Sequence, residues 1–255
     1  MDNLKRLLDE KAAQYNCKEF IKDDPVSFPH AFSDKRDIEI AALLASVIAW
    51  GNRKMILNSG NKMLFGIMGG KPYDYVMSDE WSTLCGDNNI HRTFFVRDFV
   101  YLCRGLKQIY QEHGSMEPLF THSDVWSGIS ALREEFSRAN DGSSTKHLSN
   151  PMPAKSKAAS SCKRLNMMLR WLARKDGIVD LGIWHDVNPA KLMIPLDVHV
   201  ARIGRRLGLI TRTQNDRRTV EELTARLREF SPDDPVRYDF ALFGIGVAGE
   251  EIFNK

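Results

Sequence analysis

The chain has 255 residues, of which 43% are hydrophobic, and this is enough for a sizeable core in one large domain or two smaller lobes. The formal net charge of +3 is compatible with a nucleic-acid-binding protein but is also common among small enzymes. Because it contains neither a run of about 18 apolar residues nor an apolar N-terminal segment, the sequence excludes a membrane-spanning helix and predicts a soluble cytoplasmic protein.

Apolar residues recur at helical spacing along most of the chain. Helices are predicted at residues 2–16, 37–50, 53–68, 73–78, 92–112, 123–139, 160–175, 198–207, 219–229 and 236–247. The helix at 37–50 is apolar on most sides, which predicts a buried central helix. An extended connector is predicted at 20–36, where two prolines occur. No alternating strand pattern is evident, so the predicted fold class is all-α.

Positive charge is concentrated in the second half of the chain. Residues 140–159 are rich in Ser, Asn, Pro and Lys and predict a basic loop. Residues 151–175 contain seven Lys or Arg and no acidic residue. A run of this kind is most often a solvated helix face. The functional alternative is a surface that contacts phosphates.

The helix predicted at 160–175 has two distinct faces. Its apolar stripe consists of Leu165, Met168, Leu169 and Leu172. At 100° per residue, the opposite side carries Lys163, Met167, Arg170 and Arg174. We therefore expect this second row to point away from the core. Arginines beside Lys163 would also disfavour its protonated form, which favours a nucleophilic amine.

Asp197 lies directly before the short helix predicted at 198–207. The simplest interpretation is an N-cap, whose carboxylate accepts hydrogen bonds from the first backbone N–H groups. A capping carboxylate is held rigidly and stays ionised, so it can also stabilise a developing cation. Capping and catalysis are therefore compatible roles for this residue.

Two segments resemble the helix-hairpin-helix DNA glycosylase superfamily, the endonuclease III class. Residues 194–208, Ile-Pro-Leu-Asp-Val-His-Val-Ala-Arg-Ile-Gly-Arg-Arg-Leu-Gly, are similar to its Val-Asp-Thr-His-(apolar)-x-Arg segment, whose catalytic Asp corresponds to Asp197. Lys163, followed by Asn166 and Met-Met-Leu, resembles its Arg-Lys-Thr-Ala-Asn-Val-Val-Leu helix, whose Lys is the Schiff-base nucleophile. Residues 37–50 resemble its buried second helix. Within the superfamily, the chain is most similar to a bacterial group of unknown function.

This resemblance implies a fold, an activity and a set of site residues. The fold would be a helix-hairpin-helix glycosylase-like unit over 1–255, with two helical lobes interleaved in sequence and a cleft between them. The activity would be that of a monomeric DNA base-excision repair glycosylase, with AP-lyase activity, that acts on damaged duplex DNA without a cofactor or metal. Lys163 would attack a flipped nucleotide and Asp197 would stabilise the sugar cation.

The DNA-binding candidates are Lys155, Lys157, Ser160, Ser161, Arg164, Arg170 and Arg202. The candidates for a base pocket or a wedge are Trp50, Asn52, Asn166 and Trp171. Packing in the core is the favoured interpretation of Trp171.

Some residues depart from the family pattern. The family's hairpin reads Leu-Pro-Gly-Val-Gly before the lysine, whereas this chain has Lys157-Ala-Ala-Ser-Ser-Cys, without a glycine. Trp50-Gly51-Asn52 replaces a Gln-Ala-Thr segment that probes the duplex. The four-cysteine cluster is absent, as in archaeal 8-oxoguanine glycosylases. Two alternatives therefore remain: a non-catalytic nucleic-acid-binding protein with the same fold, and an all-α enzyme acting on a nucleotide or nucleoside.

The cysteines and histidines do not indicate a metal site. The four cysteines are isolated from one another, and the seven histidines lack metal-ligand spacing. His199, two residues after Asp197, is expected to pack or hydrogen-bond locally rather than to act as a base.

Overall fold

The structure is a computed structural model that describes residues 2–121, 124–152 and 159–249. Its described residues are mostly helical, which confirms the all-α class. They form two compact units. Unit 1 consists of residues 2–20 and the described residues from Asn150 onward, and unit 2 is Ile21–Ser149. None of the described helices is both long and apolar enough to cross a membrane.

The α-helices follow one another along both units. In chain order they are α1 (Asp2–Tyr15), α2 (Lys18–Lys22), α3 (Lys35–Ile48), α4 (Arg53–Asn61), α5 (Pro72–Ser78), α6 (Val96–His113), α7 (Val125–Ala139), α8 (Lys163–Ala173), α9 (Val198–Arg206), α10 (Arg217–Phe230) and α11 (Asp239–Ala248). A π-helical segment, Lys62–Ile67, continues α4. Two short strands, β1 (Asn89–His91) and β2 (Phe94–Phe95), form an antiparallel hairpin.

Several predicted boundaries differ from the observed ones. The segment 20–36 is not simply extended, because it contains the end of α2 and the 3-10 turns Pro25–Ser27 and Pro29–Ala31. A proline opens each turn, and proline already has the backbone angle that the first helical position needs. Helix α6 starts at Val96 because the preceding residues form the hairpin, whose strands are too short to show an alternating pattern.

In unit 2, α3 is the central buried helix that its apolar sequence predicts. Eleven of its residues are buried, including Glu39. The Glu39 carboxylate accepts a hydrogen bond of 2.9 Å from the hydroxyl of Tyr110 on α6. Asp34 caps α3 and Asn52 caps α4.

In unit 1, α11 packs against α1 and α9. Small residues make these contacts possible. A Cβ at Gly244 would lie 2.2 Å from the ring of Tyr15 on α1, and a Cβ at Gly246 would lie 2.8 Å from the Cβ of His199 on α9. The close approach of α9 to α11 brings the start of α9 near the charged groups of α11, where the candidate site lies.

Candidate functional site

Lys163 is the first residue of α8, and its side chain is half-buried. Its Nζ lies 3.3 Å from the Sδ of Met167, one turn further along the helix. The preceding residue, Cys162, is buried and adopts the left-handed conformation, with φ of 48°. This conformation costs a non-glycine residue about 1 kcal/mol. Just before Lys163, the backbone therefore adopts at a cysteine a conformation that normally favours glycine.

Asp197 is the N-cap of α9, as predicted from the sequence. One oxygen of its carboxylate accepts hydrogen bonds from the backbone N–H groups of His199 and Val200, both at 2.9 Å. These bonds fix the orientation of the carboxylate. Asp197 is half-buried, and the next residue, Val198, is 69% exposed. The cap therefore lies at the protein surface rather than inside the core.

The prediction that the second row points away from the core is wrong for Met167, Arg170 and Arg174. All three are buried, and only 3% of Arg170 is exposed. Helical periodicity placed this row outside because it lies opposite the apolar stripe of the helix. In the structure, carboxylates from α11 and from the segment after α8 cover the two arginines. Arg170 is therefore a structural cation and not a free contact for phosphate.

The two arginines belong to a buried ion-pair network. The Nε of Arg170 donates to Asp180 at 3.1 Å, and its guanidinium also pairs with Asp239 at the start of α11. Arg174 donates to Asp180 at 2.8 Å and to both oxygens of Asp234, and it also pairs with Asp176. The carboxylates around Arg174 raise the pKa of its guanidinium, although burial acts in the opposite direction.

Asp239 connects this network to Lys163 and Asp197. Burial raises the pKa of its carboxyl to about 6, against the effect of Arg170. The negative charge of Asp197 raises this pKa further, and the positive charge of Lys163 lowers it. Both predicted catalytic side chains therefore lie within electrostatic range of one buried carboxyl. Lys163, Asp197 and Asp239 are called the site triad below.

Sequence reasoning missed Asp239. The only signal in the sequence is a single acidic residue at the first position of an otherwise apolar helix. An acidic residue there is ordinarily explained by the helix dipole. Its partner Arg170 lies 69 residues away in the chain, so no local pattern links the two.

The predicted DNA-binding residues before and within α8 have local partners. Ser160 forms an isolated β-bridge with Asp216, and its Oγ accepts a hydrogen bond of 3.1 Å from the backbone N–H of Cys162. The carbonyl of Ser161 accepts from Asn166 at 3.0 Å. Arg164 is half-buried, and burial lowers the pKa of its guanidinium. These residues surround the start of α8, next to Lys163.

The remaining predicted phosphate contacts are placed differently. Arg202 is exposed on α9 and donates a hydrogen bond of 2.7 Å to the carbonyl of Gly246 on α11. Lys155 and Lys157 lie outside the described residues. The predicted loop 140–159 contains no helix in its described parts, 140–152 and 159.

Two candidates for a base pocket or wedge, Trp50 and Asn52, belong to unit 2. Trp50 is half-buried, its carbonyl lies 2.9 Å from the Nε2 of His91, and the Arg92 guanidinium lies 4.8 Å from the centre of its ring system. Asn52 is exposed, and its side chain caps α4 by accepting from Met55 at 3.3 Å. Trp50 and Asn52 therefore lie two residues apart, just before the exposed start of α4.

The other two candidates, Asn166 and Trp171, lie inside unit 1. Trp171 is 0% exposed, as its favoured interpretation predicts. Asn166 is buried, and its Oδ1 has no hydrogen-bond partner among the described residues. Neither side chain can be an exposed wedge. His199 packs against Phe243, with ring centres 6.2 Å apart, in agreement with a packing role.

One group of possible metal ligands occurs on the described surface, away from the predicted residues. It consists of Glu112, His113 and Glu135, whose ligand atoms lie within 4.8 Å of one another. The guanidinium of Arg138 already pairs with both glutamates. The arrangement is therefore satisfied as a surface ion-pair cluster without a metal.

Comparison with known proteins places the chain in a family. No curated protein and no solved structure gives a significant match. The model of a family described as "Protein of unknown function (DUF2400)" matches residues 24–248. This span includes α3, the complete ion-pair network and all three members of the site triad. Because the match covers most of the chain, the protein belongs to the DUF2400 family.

Proposed function

We propose that this protein is a DNA base-excision repair glycosylase with AP-lyase activity. The observation that carries the proposal is the placement of Lys163 on α8 and of Asp197 at the start of α9. These two helices are linked through α11, because Arg170 of α8 pairs with Asp239 at the start of α11, which packs against α9. Lys163 and Asp197 are the two positions that correspond to the nucleophile and the carboxylate of the helix-hairpin-helix glycosylases. Shared chemistry requires that both side chains reach one reacting atom, and their common proximity to the α8–α11–α9 contacts supports this proposal.

The proposed reaction begins when the damaged nucleotide is flipped out of the duplex. The neutral amine of Lys163 forms a bond to the anomeric carbon, and the bond from this carbon to the base breaks, so that the base leaves with the bonding electrons. Asp197 stabilises the positive charge on the sugar, and its cap hydrogen bonds hold it in place for this role. The lysine nitrogen then loses a proton, and the bond from the anomeric carbon to the ring oxygen breaks, so that the ring opens to an imine and the ring oxygen becomes a hydroxyl. Loss of a proton from the neighbouring carbon then allows β-elimination of the 3′ phosphate.

The proposed partner is damaged duplex DNA. Ser160, Ser161, Arg164 and Arg202 remain candidate phosphate contacts, together with Lys155 and Lys157. Arg170 is removed from this set because buried carboxylates occupy its guanidinium. Trp50 and Asn52 remain candidates for contact with the bases, since they adjoin an exposed helix start.

The direct test is borohydride trapping with the full chain. Duplexes carrying an abasic site or 8-oxoguanine are incubated with the protein and sodium borohydride, and an undamaged duplex of the same sequence is the control. We expect a covalent protein–DNA adduct with at least one damaged duplex and none with the control. Absence of an adduct with a broad lesion panel would overturn the enzymatic proposal. Salt-dependent binding without an adduct would instead favour a non-catalytic binder.

The substitution Asp197→Asn separates capping from catalysis. Asparagine caps helices about as well as aspartate, so the free energy of unfolding should change by less than about 0.5 kcal/mol. Adduct formation should slow by roughly a hundredfold or more, because the charge that stabilises the sugar cation is lost. The measurements are thermal denaturation and single-turnover trapping.

Asp124→Asn is the matched control for this substitution. Asp124 caps α7 in unit 2 by the same pair of backbone hydrogen bonds, from Trp126 and Ser127. It should leave trapping unchanged. Equal trapping by the Asp197→Asn and Asp124→Asn variants would show that Asp197 acts only as a helix cap.

A further inference from the structure

We propose that Arg92 and Trp50 form a stacking site on unit 2 that binds an unpaired nucleobase of a DNA strand. This inference rests on the proposed function, in which Trp50 is a candidate base contact, and it adds the cation of Arg92 to that contact. The base stacks on the guanidinium, and exposed cations beside it contact the phosphates. Binding of this kind needs no reaction at Lys163.

The guanidinium of Arg92 lies over the indole of Trp50. Its central carbon is 4.8 Å from the centre of the ring system, within the range of a cation–π interaction. Gly51 leaves space for this contact, since a Cβ at that position would lie 2.6 Å from an Nη of Arg92. Arg92 is nonetheless exposed, so a ligand can reach it.

A short hairpin carries Arg92 at a backbone position that usually favours glycine. His91 and Phe94 pair across the turn, so Arg92 and Thr93 form a two-residue loop. The turns that suit such loops need a positive φ at the first loop residue, and glycine or asparagine adopts it most easily. Arg92 has a φ of 52°. Strained residues cluster at ligand-binding sites, and here the strained residue is an exposed cation over an aromatic ring.

His91 fixes the hairpin to Trp50. It is 1% exposed, its Nε2 lies 2.9 Å from the carbonyl of Trp50, and its Nδ1 lies 3.0 Å from the hydroxyl of Ser59 on α4. The imidazole also meets the indole edge to face, with ring centres 5.5 Å apart. The stacking site is therefore preorganised, which reduces the entropy that a ligand loses on binding.

The charge of Arg92 has no protein partner, since Arg92 makes no ion pair with a described carboxylate. In comparable cation–π contacts of unit 2, a polar side chain already occupies the guanidinium. These contacts involve Arg36, paired with Asp34; Arg97, paired with Asp87; and Arg104, which donates to Asn140. The guanidinium of Arg92 can therefore bind a ligand without breaking an ion pair.

The chain segment around Trp50 is positively charged. Residues 40–73 contain four Lys or Arg and no acidic residue. Arg53 and Lys54, the first two residues of α4, are exposed and make no ion pair with a described carboxylate. A nucleotide strand fits both features, because its bases stack on guanidinium planes and aromatic rings while its phosphates attract cations.

The test compares two single strands that differ in whether they carry bases. The full chain is titrated into a fluorescein-labelled strand of about ten thymidines, and into a strand of the same length with tetrahydrofuran in place of each nucleoside. Tetrahydrofuran cannot form an imine, so the proposed reaction does not interfere. Anisotropy at one salt concentration gives both Kd values. We expect the thymidine strand to bind more tightly by about fivefold or more, and this factor is the base ratio.

Arg92→Lys keeps the charge but removes the flat guanidinium. It should lower the base ratio to less than about twofold and leave the Kd of the tetrahydrofuran strand nearly unchanged. Arg104→Lys is the matched control, because Arg104 is also an exposed arginine over a tryptophan of unit 2. Its partner Trp81 is buried, so no base can stack there. This variant should keep the native base ratio.

Acrylamide quenching of tryptophan fluorescence locates the bound base. Trp50 is half-buried, whereas the other tryptophans are at most 4% exposed, so quenching reports mainly on Trp50. These other residues are Trp81, Trp126, Trp171 and Trp184. The thymidine strand should protect the native protein from quenching, and the Trp50→Phe protein should show no protection.

The outcomes separate this inference from the proposed function. A native base ratio of one would overturn the stacking site, as would equal base ratios in Arg92→Lys and Arg104→Lys. Tight binding without protection of Trp50 would also overturn it, because the base then binds elsewhere. The expected ratio and protection, in a protein that traps no borohydride adduct, would support the stacking site and contradict the glycosylase proposal. Trapping together with a base ratio of one would do the reverse.

Discussion

Replacing Lys163 by glutamine should abolish the borohydride-trapped adduct, because only an amine can form the imine that borohydride reduces. The fold should tolerate the change. Lys163 is half-buried at the first position of α8, and its Nζ lies 3.3 Å from the thioether sulfur of Met167. Denaturation of the variant should therefore resemble that of the native protein, while trapping falls below detection.

Lys191→Gln is the control for this substitution. Lys191 is an exposed lysine of the same unit, so its removal changes the net charge equally. It should trap like the native protein. Mass spectrometry of a digested native adduct should locate the DNA remnant on Lys163. A remnant on another lysine, with Lys163→Gln still active, would remove Lys163 from the mechanism.

Replacing Arg170 by methionine should destabilise the protein by about 3–5 kcal/mol, the usual cost of removing one partner from a buried ion pair. Methionine approximates the length of the arginine side chain but leaves Asp239 without its ion-pair partner and Asp180 with Arg174 alone. The side chain of Asp180 is 0% exposed, so water cannot replace the lost hydrogen bond. Chemical denaturation of the two proteins measures the difference.

The cost of Arg170→Met should also depend on pH. Burial already raises the folded pKa values of Asp180 and Asp239 above those of the unfolded chain, and loss of Arg170, which lowers both, raises them further. The folded variant then binds more protons, so its stability falls as pH rises. The difference from the native protein should be larger at pH 8 than at pH 5.

Arg226→Met provides the comparison for an exposed ion pair. Arg226 pairs with Glu229 on α10, where both side chains are about half exposed. Pairs of this kind contribute between 0 and about 1 kcal/mol. If Arg170→Met lowers the free energy of unfolding by no more than Arg226→Met does, the buried network is not a major source of stability.

Local patterns predicted the parts of the structure that depend on neighbouring residues. The apolar run of α3 predicted a buried helix, and Asp197 predicted the cap of α9. Both follow from chemistry within a few residues of the chain. The position of Lys163 on α8, partly accessible and beside Met167, also agrees with its helical phase.

The burial of Arg170 and Arg174 could not be predicted in this way. Periodicity separates polar from apolar residues, but it does not show that carboxylates elsewhere in the chain will cover a polar row. The partners of the two arginines include Asp234 and Asp239, which are more than 50 residues away. Without their positions, the expected structure of this row is a solvated face.

The insertion of unit 2 between the two segments of unit 1 has a consequence for biosynthesis. Unit 2 is continuous in sequence, so all of its residues are available once Ser149 has emerged from the ribosome. Helix α1 is synthesised before unit 2, but it packs on α11, which is synthesised after unit 2. Because domains fold as units during synthesis, α1 is not yet packed against α11 while unit 2 folds. Asp239 follows Arg170 by 69 residues, so the site triad assembles only after all of unit 2 has been synthesised.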